Sequence, residues 1–355
     1  MIRKWLAVGI ILLFVGSCIV PAIAQDTEKP LPTSRGDWLY VGGSGPGNYT
    51  RIQDAIDNAS EGDTVYVYKG TYYEAISINI TDFKLIGEGR DITVINSNSS
   101  IAIMIKKDSV FIKGFSILTN GIGIAVSLYL ENIQIFNNNL STSNYGIAIA
   151  EYNNFHRIEN NVFYSNFYGI SVHSFHIDGY CVIRNNTFVD NHWGIDLGGA
   201  YHEISNNKFF SCKRGIEQSG GASTFSNNIF IGNDIGLEVG SGNNIIGNHI
   251  EKSGVALIVY DASNMIVHQN NFINNKRDAT FAEESRLHGN NWDGNYWSGS
   301  FCPFGCKIIF GSVQTRIPTI FQLHPDPDVI TYYWIPWINL DRHPAQEPYD
   351  IPGMR

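Results

Sequence analysis

Charge is scarce in this sequence. Of 355 residues only 16% are Asp, Glu, Lys or Arg, with 33 acidic side chains against 24 basic ones and a net charge of −9. A surface that grips nucleic acid needs clustered cations to replace the counterions of the phosphates, so the acidic balance speaks against that partner. Proline is missing from the middle of the chain: four lie at or before Pro46, eight at or after Pro303, and none between. Proline cannot donate to a strand ladder, so this stretch is free to hydrogen-bond without interruption. Long amphipathic helical runs are also missing, which excludes a helical solenoid. Only Tyr49–Ala59 reads as a short helix, with Ile52, Ala55, Ile56 and Ala59 on one side. Cysteines number five, in spacings that make poor evidence for a zinc site. Cys302 and Cys306 form the best local disulfide candidate for an oxidising compartment.

What is present is apolar and turn-rich. Hydrophobic residues make up 43% and glycines number 35, so the chain can bury a large core and is not disordered. The N-terminus carries Arg3 and Lys4, an apolar run from Trp5 to Val20, and Ala22-Ile23-Ala24 as a small-residue cleavage site. That pattern predicts a signal peptide over 1–24 and a secreted or cell-surface protein. Val15-Gly16-Ser17-Cys18 weakly resembles a lipobox. The apolar run also approaches the ~20 residues that cross a bilayer, so a lipoprotein and a membrane anchor stand as alternatives.

Internal repetition sets the fold. An Asn-Asn mark followed by an apolar residue recurs at 137, 160, 185, 206, 227, 247, 269 and 289, in exact or looser copies. A Gly-Ile mark runs in phase with it: Gly123-Ile124, Gly146-Ile147, Gly169-Ile170, Gly194-Ile195, Gly215-Ile216, Gly236-Leu237 and Gly254-Val255. Between the marks lie short alternating pieces such as Ile195-Asp196-Leu197. A unit of roughly 22 residues built from short strands fits one coil of a parallel β-helix. The reading is therefore all-β: a right-handed parallel β-helix of about ten coils, with a short N-terminal capping helix and an irregular C-terminal cap. Its expected divisions are 25–36 as linker, 37–64 as N-terminal cap, 65–291 as β-helix and 292–355 as a Pro- and Trp-rich cap. Phe163, Phe188, Phe209, Phe230 and Phe272 should stack inside, the asparagines should form turn ladders, and each marked glycine should permit a tight bend.

These residues resemble a known family. Asp37-Trp38-Leu39-Tyr40-Val41-Gly42-Gly43, Tyr49–Ala59, Gly62–Val67, Gly70–Glu74 and Leu85-Ile86-Gly87 look like the opening of secreted NosD-like and pectin-lyase-like right-handed β-helix proteins, common in archaea. The repeated Asn-Asn and Gly-Ile marks are similar to NosD-type repeats. The resemblance implies the fold and a carbohydrate-related or copper-site accessory role. It supplies no catalytic residue, because the Asn-Thr-Asp, paired-Asp and Gly-His-Gly signatures of polygalacturonases are absent from the repeat.

Stacking one coil on the next aligns chemistry in columns. The second residue after each marked glycine gives Ala148, Ser171, Asp196, Glu217, Glu238 and Ala256, so Asp196, Glu217 and Glu238 form an outward carboxylate ladder. Such a ladder raises carboxyl pKa values, binds a hard cation such as Ca²⁺, or serves as acid and base of a polysaccharide lyase or glycoside hydrolase. The residue before each glycine gives Tyr145, Tyr168, Trp193 and Arg214, rings to stack on sugars and a guanidinium to pair an acidic one. His173 lies one coil before Asp196 as a neighbouring acid/base. Four residues before the asparagine mark stand His156, Cys181 and His202, candidate copper ligands. The expected partner is a polysaccharide or glycoconjugate, with the cell envelope as its setting. A non-catalytic adhesion scaffold and a copper-site accessory protein are the alternatives.

Overall fold

A computed structural model of the chain describes residues 37–173, 180–261, 263–283, 289–299, 305–316 and 332–354. The signal segment, the linker and Cys302 lie outside the described residues. The described residues form three sheets of twelve, eleven and twelve strands, each adding one parallel strand per coil apart from the antiparallel last strand of the third. The first sheet starts with Trp38–Val41, Thr64–Val67 and Phe83–Gly87, the second with Gly70–Tyr72 and Thr93–Ser97, the third with Ile76–Ile78 and Ile101–Ile105. The result is a β-solenoid of about eleven turns, consistent with a right-handed β-helix.

The repeat marks explain the coil from inside. The Phe column stacks face to face: Phe163, Phe188, Phe209 and Phe230 have successive centroids 4.7 Å apart and planes within 7°. Ile250 interrupts the stack, and Phe272 resumes it against Trp297 at 4.2 Å. All of these are buried. Each buried ring contributes about 2 kcal/mol of apolar transfer and roughly 1 kcal/mol of ring–ring geometry. The marked glycines are not bends. Gly215 takes no positive φ, and a Cβ there would stand 2.4 Å from the Gly236 carbonyl oxygen and 2.7 Å from Phe230 Cδ1. The hydrogen atom is required by close approach, since the second sheet's phenylalanine lies against the third sheet's backbone.

The second asparagine of each mark points inward. Asn207 Oδ1 accepts the Asn186 backbone N–H and its Nδ2–H, both at 3.0 Å, while Asn207 Nδ2 donates to the Ile183 carbonyl at 2.8 Å. The motif recurs from Asn138 to Asn295. The first asparagine takes the left-handed backbone that turns the chain, as at Asn160, Asn185, Asn206 and Asn227, with φ of 54° to 58°. At the last rung a carboxylate replaces the amide. Fully buried Asp341 accepts from Asn295 N, Asn295 Nδ2 and Trp297 Nε1 at 2.9, 3.1 and 3.0 Å.

The ends differ from the sequence expectation. The N-terminal helix is shorter, Ile52–Asp57, with Ile52, Ala55 and Ile56 buried. Glu74 accepts its first amides, Ile52 N–H and Gln53 N–H, at 2.8 and 3.0 Å. Trp38–Val41 pairs in parallel with Thr64–Val67, so the expected cap already contributes a rung. That strand and those beyond 291 raise the turn count from ten to about eleven. Part of the C-terminal cap is regular. Lys307–Arg316 continues the third sheet in parallel, and Tyr332–Asp341 pairs antiparallel to it as the edge strand. Pro336 is tolerated there because an edge strand hydrogen-bonds on one side only.

Candidate functional site

The outer face of the third sheet gathers the exposed chemistry. At each marked glycine the missing Cβ would point into the core, which leaves the residue before it outside. Tyr145, Tyr168 and Trp193 are consequently half-buried on the surface, in register on adjacent strands with Arg214. Successive ring centroids are 4.8 Å apart, with planes 7° and 15° from parallel. The Arg214 guanidinium carbon lies 5.9 Å from the Trp193 ring centre. The rings thus stack on one another along the row.

Asp196, Glu217 and Glu238 are direct strand partners. The next rung is Ile258 and not Ala256, because Gly254-Val255 is out of phase: Ile235 pairs with Val255, so Ala256 replaces the marked glycine. Glu217 Oε2 accepts from Trp193 Nε1 at 2.7 Å and from Arg214 Nη1 at 2.6 Å. The same Nη1 lies 2.9 Å from Glu238 Oε2. One guanidinium nitrogen is thus shared by two carboxylates. Asp196 lies outside this network. Its Oδ2 is 3.4 Å from Ser171 Oγ, which is itself 3.3 Å from His173 Nε2.

These contacts set the protonation pattern. Burial pushes the Asp196 carboxyl above the usual carboxylate range and Glu217 adds to the rise, with His173 and the Ser171 hydroxyl opposing. Burial also raises Glu238, against the pull of Arg214 and with the repulsion of Glu217. Tyr260 belongs to the same face. Its hydroxyl donates to the Gln218 carbonyl, and burial with the Glu217 and Glu238 charges pushes its phenol up. Sequence reasoning missed Tyr260 because it follows the strand end, outside both marks. Ser171 stood in the column, but its bridging position depends on the His173 rotamer. Toward the N-terminus the face opens into an apolar groove of about 590 Å³ lined by Ile101, Met104, Ile122, Ala125, Leu128 and Tyr145, with His173 also on its wall.

His156, Cys181 and His202 sit elsewhere, where strands of the first sheet begin, at 0%, 0% and 1% exposure. They belong to another ladder of backbone acceptors. His156 Nδ1 accepts the Ile133 N–H at 3.1 Å, Ser223 Oγ accepts the His202 N–H at 3.0 Å, and Asn243 Oδ1 accepts the Ser223 N–H at 2.7 Å. His202 Nε2 is 2.9 Å from the Gly198 carbonyl. Burial lowers His156 to about 4, lowers His202, and pushes Cys181 up to about 12. A thiol held so high is a poor source of thiolate for a metal. Successive rungs stand ~4.8 Å apart, too far for three donors to converge at ~2.0–2.3 Å from one ion. Among the described residues no group of three or more His, Cys, Asp or Glu side chains is placed to hold a metal ion. The copper-ligand expectation for this column does not fit the structure.

Known proteins match this architecture. The family model described as periplasmic copper-binding protein (NosD) matches residues 56–241, more than half of the chain. The chain belongs to the NosD family. A right-handed β-helix region model also matches residues 174–317. Against curated proteins, this NosD-family chain is 32% identical over 93 residues to a probable pectinesterase of Arabidopsis thaliana, covering 24% of the chain and 32% of the relative. It therefore spans about a third of the length of the curated relative it matches. Among solved structures, the ORF18 protein of Geobacillus virus E2 aligns with a TM-score of 0.50 at 17% identity, over 66% of this chain and 57% of that one. The A-module of a mannuronan C-5 epimerase from Azotobacter vinelandii aligns with a TM-score of 0.44 at 16% identity, over 66% and 86%. These likenesses bear on the fold of the NosD-family chain.

Proposed function

We propose that the outer face of the third sheet binds an extended polysaccharide that is neutral or carries amino sugars, outside the cytosol. The observation that carries this reading is the sharing of Arg214 between Glu217 and Glu238, with Asp196 one rung away. Three carboxylates face one guanidinium, so the ionised cluster is anionic. It repels a uronate and attracts hydroxyl or ammonium donors. Carboxylates repeating every ~4.8 Å along a flat wall suit a linear chain of hydroxyl-bearing rings. The adjoining apolar groove suits their apolar faces. The name of the pectinesterase relative supports a glycan partner in general and not a uronate at this face.

The same geometry supports acid/base chemistry on the bound strand. Glu217 accepts hydrogen bonds from Trp193 and Arg214, while burial lets Asp196 retain a proton to higher pH. Two carboxyl groups on adjacent rungs fall near the ~5–5.5 Å disposition of a retaining glycosidase.

The test is affinity electrophoresis in gels containing neutral β-glucan or chitosan, with a reducing-end assay on the same polymers. Retention is expected for the wild type and weakened about 10–100-fold in Glu217→Gln, since a charge-assisted bond carries ~1.5–3 kcal/mol. Asp196→Asn should retain binding and abolish any release of reducing ends. If neither polymer retards the wild type, or Glu217→Gln migrates identically, the glycan reading fails and a scaffold role takes its place.

A further inference from the structure

The first sheet carries a second patch on its outer face. Two columns run along its N-terminal half. One is Trp38, Thr64, Lys84, Phe111 and Gln134; the other is Tyr40, Tyr66, Ile86, Lys113 and Phe136. Trp38 and Tyr40 are 53% and 39% exposed, and the two lysines are exposed. The rings form two clusters, with Lys84 and Ile86 on the rung between them: Trp38, Tyr40, Tyr66 and Tyr68 have neighbouring centroids 5.2–6.4 Å apart, and Phe111 lies 5.5 Å from Phe136. Arg157 extends the patch over Phe136 at 5.8 Å. Among the described residues neither Lys84 nor Lys113 has a carboxylate partner. In a chain of net charge −9, two unpaired ammonium groups set among aromatic rings are a local reversal of sign.

We propose that this face is a separate docking surface for an acidic polysaccharide, carboxylated or sulfated, lying along the solenoid axis. Tyr and Trp rings offer apolar faces and edges to sugar rings, and the ammonium groups pair with anionic substituents. The patch spans five rungs, roughly 20 Å, and is straight. A lipid surface fits less well. Lys84 and Lys113 stand inside the two columns, between Thr64 and Phe111 and between Ile86 and Phe136, so insertion into hydrocarbon would strip both of water. The surface is independent of the anionic groove on the third sheet, and it takes the opposite class of ligand.

The test uses the whole chain in affinity gels containing polygalacturonate, with dextran as neutral control and co-sedimentation with phosphatidylglycerol–phosphatidylcholine vesicles alongside. Three variants are compared with wild type: Lys84→Glu/Lys113→Glu, Tyr66→Ala, and Glu217→Gln on the other face. Polygalacturonate should retard the wild type and Glu217→Gln equally. The double lysine variant should bind about tenfold more weakly, as expected for two surface ion pairs, and wild-type binding should weaken as salt is raised. Tyr66→Ala should weaken binding at every salt concentration. The proposal is overturned by absence of retardation, by retardation unchanged in the double variant with its thermal transition intact, or by sedimentation with anionic vesicles without binding to polygalacturonate. None of these outcomes bears on the third-sheet reading, which Glu217→Gln tests separately.

Discussion

His156, Cys181 and His202 form a column where the first sheet's strands begin; Asp196, Glu217 and Glu238 form one on the third sheet. Both repeat once per coil, and in both the strand register superposes residues of successive coils. Their physical situations are opposite. In the first column the side-chain heteroatoms point inward and complete the backbone of the preceding coil, as amide, hydroxyl and imidazole do interchangeably at Asn243, Ser223 and His156. On the third sheet the carboxylates point out, are only partly compensated by Arg214, and carry raised proton affinities at Asp196 and Glu238. A solenoid therefore aligns any residue type into a ladder. Whether the ladder is structural or available to a ligand depends on the face it occupies.

That contrast can be broken most forcefully from the inside. Asn207→Ala removes an acceptor for two N–H groups and a donor to the Ile183 carbonyl, all buried. The expected loss is about 2–4 kcal/mol, read as a lower urea midpoint. Ligand affinity measured on the folded fraction should be unchanged.

A smaller effect should appear in acid. His156 is neutral in the fold, with burial holding it near 4 against an ordinary 6.5. The unfolded chain binds more protons in that interval, so stability is full above about pH 6.5 and falls as pH drops toward 4, by up to ~3 kcal/mol. His156→Asn keeps an acceptor of the kind Asn243 already provides in this column. It should flatten the slope in urea titrations between pH 7 and 4. An unaltered slope would remove the neutral, backbone-capping role.

The smallest effect belongs to the exposed column. Asp196 has a folded proton affinity raised by burial, so its charged form opposes folding: stability is greatest below the ordinary carboxylate pKa and declines as pH rises through the raised one. Asp196→Asn should therefore raise the melting temperature at neutral pH, by an amount corresponding to ~0.5 kcal/mol, while costing function. A lower melting temperature would show that Asp196 is a structural residue like those of the buried column.

The sequence made the fold legible because stacking writes its period directly into the chain. Asn-Asn and Gly-Ile recur where a coil needs a left-handed turn, a buried amide and a Cβ-free contact with phenylalanine. The register of Asp196, Glu217 and Glu238 followed from the same arithmetic. It faltered at Gly254, where a step of 18 residues shifted the mark while strand pairing continued through Ala256. The direction of a column was not legible where a strand begins. Periodicity reports which residues superpose and not which side of the backbone they occupy, so His156, Cys181 and His202 read like ligands. Tyr260 and the consumption of Arg214 by two carboxylates were invisible because they depend on rotamers reaching across coils. The Tyr332–Asp341 strand was hidden by its Pro336, which an edge position accommodates.

The central claim is that the third-sheet column meets a ligand and the buried first-sheet column does not. The direct measurement is retention by chitosan or neutral β-glucan at pH 7 for wild type, Glu217→Gln and His156→Asn side by side. The account predicts that His156→Asn is held as strongly as wild type and that Glu217→Gln is released. Equal retention of all three, or selective loss in His156→Asn with its fold intact, would contradict it.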